Sequence, residues 1–254
     1  MTQTFARLDV PPAYKVVYEA IETEIMAGRL NPGDQLPTET TLAEQFGVNR
    51  STVREGIRLL EQSGLVRREA GRRLHVSLPH YTELAPRVSR AMVMQRVTFR
   101  ELWEVCMVLE PQAAVDACEK MTPEKLAPLE RNRDAMEEAL NAGNSITALD
   151  VQFHALVAEA TENKALLLAR EPISLLFYPA VHVLFEKDET GAIAGRRLVE
   201  AHTRIVDALR ARDVETVQTW MTKHIVDFKR GYDVCGLDID APVDRMPADP
   251  DLSD

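Results

Sequence analysis

The stretch 37–76 constrains this chain more than any other, because its order of apolar, polar and glycine positions leaves few folds open. Thr38 is placed to cap a short helix whose apolar Leu42, Ala43 and Phe46 are expected to face inward. Gly47 follows, permitting the left-handed backbone that a tight turn between helices needs. Asn49 or Ser51 can cap the next helix, which offers Val53, Ile57, Leu59 and Leu60 to a core. Its first turns instead carry Asn49, Arg50, Ser51, Thr52 and Arg54. Gly64 stops that helix, and 65–68 and 74–76 read as two strands with Gly71 near the tip between them. Before all this, Tyr14, Val17, Ala20, Ile21, Ile25 and Leu30 recur at helical spacing up to Gly28 and Pro32-Gly33. Helix, turn, polar-ended helix and wing describe a winged helix-turn-helix, whose second helix lies in the major groove of DNA.

Charge supports that reading once it is divided along the chain. The net charge is −10, yet residues 1–80 hold ten Lys/Arg and ten Asp/Glu, so the whole deficit lies beyond residue 80. Within 49–76, seven Arg (50, 54, 58, 67, 68, 72 and 73) face three Glu (55, 61 and 69). Phosphates respond to the local field, so this patch outweighs the acidic total. Glu55 and Glu61 read as surface partners of the arginines. No apolar run is long enough to span a bilayer and no apolar leader opens the chain, so a cytoplasmic location with no membrane contact is expected. Three cysteines without metal-knuckle spacing fit free thiols.

The segment resembles the DNA-binding domain of the GntR family of bacterial transcription regulators. The resemblance rests on Gly28 to Glu39, Leu42-Ala43, Gly47-Val48, Ser51 to Glu55 and Leu59 to Val66. It implies operator contact by Arg50, Ser51, Thr52 and Arg54, with Gly71 and Arg72 at the wing tip in the minor groove. Thr40 departs from the pattern, standing where many relatives carry an Arg, and Arg73 replaces the second wing glycine.

Beyond Pro79 the periodicity is helical throughout, with helices expected near 81–95, 98–120, 123–142, 145–162, 164–186, 192–212 and 214–233. The fold expected is therefore mainly α: a winged helix-turn-helix over 1–76, a linker at 77–80, and an all-α bundle of six to seven helices over 81–233. The acidic, proline-bearing stretch 234–254 reads as a disordered tail.

Three of the six histidines fall on apolar helix faces of the bundle. His154 lies one turn after Asp150, bordered by Leu149, Phe153 and Val157; His202 lines up with Leu198, Ile205 and Leu209, and His224 with Met221, Ile225 and Phe228. A single inward histidine is usually a hydrogen-bonded core residue. Three of them plus a carboxylate are costly to bury without a shared partner, and a divalent metal would satisfy them together. Zinc is the metal expected from such donors, with nickel, manganese or iron as alternatives.

Residues 98–228 also resemble the FCD ligand-binding domain of the FadR-type GntR regulators. The resemblance is carried by Leu102 to Val105, Leu109 to Ala114, Asp150 to His154, Glu162-Asn163, Glu200 to His202 and Met221 to His224. It implies a metal held by Asp150, His154, His202 and His224 that helps to bind a small organic acid. Cys106 falls where many relatives have an Arg facing the pocket, which leaves a carboxylate effector to the metal and to Asn163 or another basic residue; His182 is a further pocket candidate. Together the readings describe a metabolite-responsive regulator, a repressor acting as a homodimer on near-palindromic double-stranded DNA. The alternative is a regulator that answers to the metal itself or holds it structurally. A metal-dependent hydrolase is set aside, since no additional general base or nucleophile accompanies the donor set.

Overall fold

The structure, a computed structural model, describes residues 11–68, 73–78, 81–185 and 188–243. The chain divides into two compact units, 1–80 and 81–254.

In the first unit, α1 (Ala13–Met26), α2 (Glu39–Phe46) and α3 (Arg50–Ser63) are followed by β1 (Val66–Arg68) and β2 (Leu74–Val76). Both strands are short and antiparallel, pairing Val66 with Val76 and Arg68 with Leu74. Thr38 caps α2 by accepting the Thr41 N–H at 3.2 Å. Gly47 closes that helix at φ 65, the left-handed conformation expected of it. Asn49, rather than Ser51, caps α3 and accepts the Thr52 N–H at 2.8 Å. Val17 and Ile21 of α1 meet Leu42, Val53, Ile57 and Leu60 in a core that Val66, Leu74 and Val76 close from the wing side. A Cβ at Gly56 would lie 2.9 Å from Val17 Cγ1 and 3.0 Å from the Tyr14 carbonyl, so a glycine there lets α1 and α3 approach.

Two expectations need correction in this unit. Phe46 is 37% exposed rather than inward, because α2 is only two turns long and Leu42 and Ala43 already fill its buried face. Ser77 is not free linker: its N–H donates to the Leu65 carbonyl at 2.9 Å and its hydroxyl to that of Gly64 at 2.6 Å.

The second unit is all helical: α4 (Tyr81–Met94), α5 (Phe99–Glu119), α6 (Pro123–Asn141), α7 (Thr147–Ala160), α8 (Lys164–His182), α9 (Asp188–Ala211) and α10 (Val214–Cys235). Its starts are locally encoded. Thr98 and Glu101 form a reciprocal capping box, Thr122 caps a helix opening on Pro123, and Asp213 accepts from Thr216. α5 is the central helix, packing against α7, α8, α9 and α10, while α6 joins α7 to α9 and α4 lies on α8. Leu102, Ala113, Ala117, Phe153, Leu176, Phe177, Ile205, Leu209 and Ile225 are among the residues of one continuous core. No described helix is long and apolar enough to cross a membrane.

The expectation of a disordered tail from residue 234 is overturned as far as residue 243. α10 continues to Cys235, and the chain then runs back to the start of α5. There the Arg100 N–H donates to the Ile239 carbonyl at 2.9 Å and the Val243 N–H to that of Val97 at 2.8 Å. Ile239 is buried and Arg100 pairs with Asp240 at 2.6 Å. Composition missed this strap because one apolar anchor and a few main-chain bonds suffice to hold it. Residues 244–254 lie outside the described residues.

Candidate metal centre and nucleic-acid interface

Three helices bring one polar cluster into the apolar core of the bundle. Asp150 and His154 come from α7, His202 from α9 and His224 from α10, all buried, and one donor atom of each lies within 4.8 Å of the others. His154 Nε2 stands 3.0 Å from His224 Nε2, which is 3.3 Å from His202 Nε2. Asp150 Oδ1 lies 3.3 Å from His202 Nε2, 3.7 Å from His154 Nε2 and 3.8 Å from His224 Nε2. Ligands about 2.1 Å from one ion stand about 3.0 Å apart at right angles and about 3.4 Å apart at tetrahedral angles. The cluster has that spacing.

Electrostatics indicate what the cluster lacks. Burial holds His202 and His224 well below the ordinary imidazole pKa, favouring neutral rings with bare lone pairs. Burial also raises the Asp150 carboxyl, against the pull of His154 and His224. Asp150 Oδ1 has no hydrogen-bond donor although it is fully enclosed, and His202 Nδ1 is likewise unpartnered. A buried acceptor without a donor costs on the order of 1–3 kcal/mol. A divalent cation among three imidazole nitrogens and this oxygen removes that deficit, so the donor set fits a metal.

One residue that sequence reasoning did not select completes the centre. Glu110 of α5, fully buried, accepts a hydrogen bond from His154 Nδ1 at 2.8 Å and another from Arg170 Nε of α8 at 2.6 Å. Burial opposes its charge, but the Arg170 guanidinium and His154 outweigh this and bring its carboxyl down to about 2. An ionised Glu110 places the His154 proton on Nδ1 and leaves Nε2 free towards the cluster, the orientation metal-ligating histidines receive from a carboxylate. Arg170 lies 3.4 Å from the Tyr178 hydroxyl. His202 is held by its stack on Phe153, ring centroids 3.8 Å apart.

The other pocket candidates fall elsewhere. Cys106 sits in the core one turn before Glu110, its thiol held neutral by burial. Asn163 is the cap of α8, its side chain accepting from Ala165 and Leu166, and it is exposed. His182 bonds Thr147 and lines a separate cavity with Ile146, Phe185 and Gly195. A cleft of about 340 Å³ beside the cluster is instead bounded by α9, α10 and the residues after α8, and includes His224.

In the first unit, α3 buries Val53, Ile57 and Leu60 and turns Arg50, Arg54 and Arg58 outwards. Asn49 Oδ1 gathers the Ser51 and Thr52 hydroxyls, each at 2.7 Å. Arg54 pairs with Glu39 at 3.1 Å, and Arg68 of β1 reaches both Glu39 and Glu61, at 3.4 and 2.9 Å. Arg58 pairs with Glu55 at 2.6 Å. These exposed pairs are weak and can open to phosphate. Gly71 and Arg72 lie outside the described residues.

A winged helix-turn-helix with an arginine-bearing recognition helix, followed by a helical bundle with a buried donor cluster, defines a DNA-binding regulator with an effector-binding domain. Residues 13–76 match the family described as "Bacterial regulatory proteins, gntR family", and residues 101–227 match the "FCD domain". The chain belongs to the gntR family of bacterial regulators, in the branch whose second domain is FCD. It is 31% identical over 219 residues to the "HTH-type transcriptional regulator LutR" of Bacillus subtilis, covering 82% of this chain and 97% of that one. Similarity extends to the "Glc operon transcriptional activator" of Escherichia coli K12, 26% identical over 86% of this chain and 88% of the relative. It extends also to the "HTH-type transcriptional repressor NanR" of Cronobacter sakazakii, 26% identical over 83% and 82%. The solved "Streptococcus agalactiae GntR" shares the fold at a TM-score of 0.60 and 24% identity, covering 85% of this chain and 99% of that one. These relatives are transcription factors, and none brings a catalytic fold to the comparison.

Proposed function

We propose that this protein is a transcriptional regulator that holds one divalent metal ion on Asp150, His154, His202 and His224, and that its operator affinity depends on that ion. The unpartnered Asp150 Oδ1, enclosed among three imidazole Nε2 atoms, carries the reading. Zinc suits the donors best, with nickel, manganese and iron as alternatives. Once bound, such an ion would supply a Lewis acid at that seat. The chain's own part is to fix the seat: Glu110 orients His154, and Phe153 holds the plane of His202.

DNA contact falls to Asn49, Arg50, Ser51, Thr52 and Arg54 at the start of α3, with Gly71 and Arg72 at the wing tip. Support comes from the exposed arginine face of that helix. The protein acts as a two-fold dimer, two recognition helices reading two half-sites, and releases a repressed operator when its signal arrives. About 1–3 kcal/mol of coupling between signal and DNA is sufficient for clear regulation.

A second reading makes the signal a small organic acid bound beside the metal. The cleft that includes His224 favours it. The test is fluorescence anisotropy on a duplex selected in vitro with the wild-type protein, run with chelator, with metal restored, and with organic acids added. Dependence on metal alone supports the first reading, and a response to acid only in metal-replete protein supports the second. Affinity indifferent to chelator and acids overturns both.

A further inference from the structure

The cleft beside the cluster is lined largely by apolar side chains. Leu184, Phe185, Ile193, Leu198, Phe228 and Val234 supply most of its surface across about 340 Å³. Ile193 and Val234, at its mouth, are 52% and 66% exposed, so apolar side chains face solvent where a ligand could cover them. Gly231 lets Leu184 pack close: a Cβ there would come within 2.7 Å of Leu184 Cδ1 and push that wall residue aside.

The charges of the cleft are equally specific. Arg197 is spent on Asp227, which it meets through both carboxylate oxygens at 2.9 Å. Arg230 also lines the cleft and has no ion pair or hydrogen bond among the described residues. His224 forms part of the wall while its Nε2 belongs to the donor cluster, so whatever fills the cleft touches a residue of the proposed metal site.

We propose that the effector is an organic acid with a bulky apolar body, of the arylalkanoate or branched alkanoate class, bound in this cleft with its carboxylate on Arg230. This inference rests on the organic-acid reading above and names its ligand. A three-carbon hydroxy acid would cover little of the apolar wall and leave most of the cleft to water. An aryl or branched alkyl body removes the wall and itself from water together, while the unpaired guanidinium answers the carboxylate. Specificity for such a body follows from the apolar wall, and specificity for an acid from Arg230.

The experiment is isothermal titration of the metal-replete full chain with 3-phenylpropionate, 4-methylvalerate and lactate. The two apolar-bodied acids are expected to bind at least about tenfold more tightly than lactate. Arg230→Ala, an exposed substitution that leaves the core intact, is expected to weaken them about tenfold. Ala194→Phe, which fills the cleft from its wall, is expected to weaken them further, with metal content and melting temperature unchanged. Lactate binding as tightly as the apolar acids overturns the proposed class while leaving the organic-acid reading standing. Apolar-acid binding unmoved by both substitutions overturns the placement in this cleft. If no acid binds metal-replete protein, the class and the organic-acid reading fall together, and the metal-only reading is left.

Discussion

Glu110→Gln separates the stability of the bundle from its metal chemistry. In the native protein both Glu110 oxygens are engaged, one by His154 Nδ1 at 2.8 Å and the other by Arg170 Nε at 2.6 Å, in a site with almost no solvent. Glutamine keeps the shape and one acceptor but removes the charge. Arg170, 2% exposed, is then a buried cation left with only the longer contact to Glu171 at 3.7 Å. Breaking a buried pair from one side costs about 3–5 kcal/mol, which for a unit of this size lowers the melting temperature by roughly 6–20 °C. The imidazole of His154 also loses its carboxylate acceptor, and metal affinity falls about 10–100-fold. Glu110→Gln with Arg170→Met is the decisive companion: removing both charges returns most of the stability but not the affinity. Thermal melting of metal-free protein reads the first quantity, and competition with a chelating indicator reads the second. If Glu110→Gln binds metal as tightly as the parent, Glu110 does not orient His154 towards an ion. If the double variant recovers affinity along with stability, the loss was a packing effect.

Other substitutions test separate parts of the account. Arg54→Ala should weaken binding to a selected duplex by about 1–3 kcal/mol and reduce the salt slope by about 0.9, with melting unchanged because its pair with Glu39 is exposed; an unaltered affinity and slope would take Arg54 out of the interface. Ending the chain after residue 237 should destabilise the bundle by about 2–3 kcal/mol through loss of buried Ile239, whereas ending it after 243 keeps every described contact; equal melting of the two truncations would show that the strap does not hold the start of α5. Burial pushes the Tyr232 hydroxyl up to about 12 from an ordinary 10.0, and that hydroxyl donates to the Ala180 carbonyl at 2.8 Å. Because the folded value is the higher one, its contribution is whole below pH 10 and lost as pH rises through 12. Stability of the parent should therefore fall about 1–2 kcal/mol more steeply over that interval than that of Tyr232→Phe, measured by urea denaturation; parallel curves would refute it.

Different parts of the molecule were legible in the sequence to different degrees. Helix periodicity with its capping residues, Thr98, Thr122 and Asp213 among them, marked the helices of the bundle because those signals are local. The four residues named from inward spacing are also the four that the fold brings within 4.8 Å. Asp150 and His154 share one helix face, and the burial of a polar side chain on an apolar face is visible without tertiary knowledge. Glu110 and Arg170 were not legible as part of the site. They lie 60 residues apart on different helices, and a lone Glu or Arg in a helix reads as surface until the fold encloses it. Asn163 has a local use visible in the sequence, since a polar residue at a helix start can serve as its cap. The strap at 236–243 was hidden because its partners, Val97 to Arg100, lie more than 130 residues earlier in the chain.

The measurement that bears most directly on the central claim is elemental analysis of the full chain after loading with zinc and exhaustive dialysis, beside His202→Ala treated identically. His202 is chosen because its Nε2 lies nearest to the unpartnered Asp150 oxygen, at 3.3 Å, and its ring is fully buried. About one ion per chain is expected in the parent and well under half an ion in the variant, with both proteins folded by circular dichroism. A parent that retains no metal, or a variant that retains as much as the parent, would contradict it and reduce Asp150, His154, His202 and His224 to a hydrogen-bonded core.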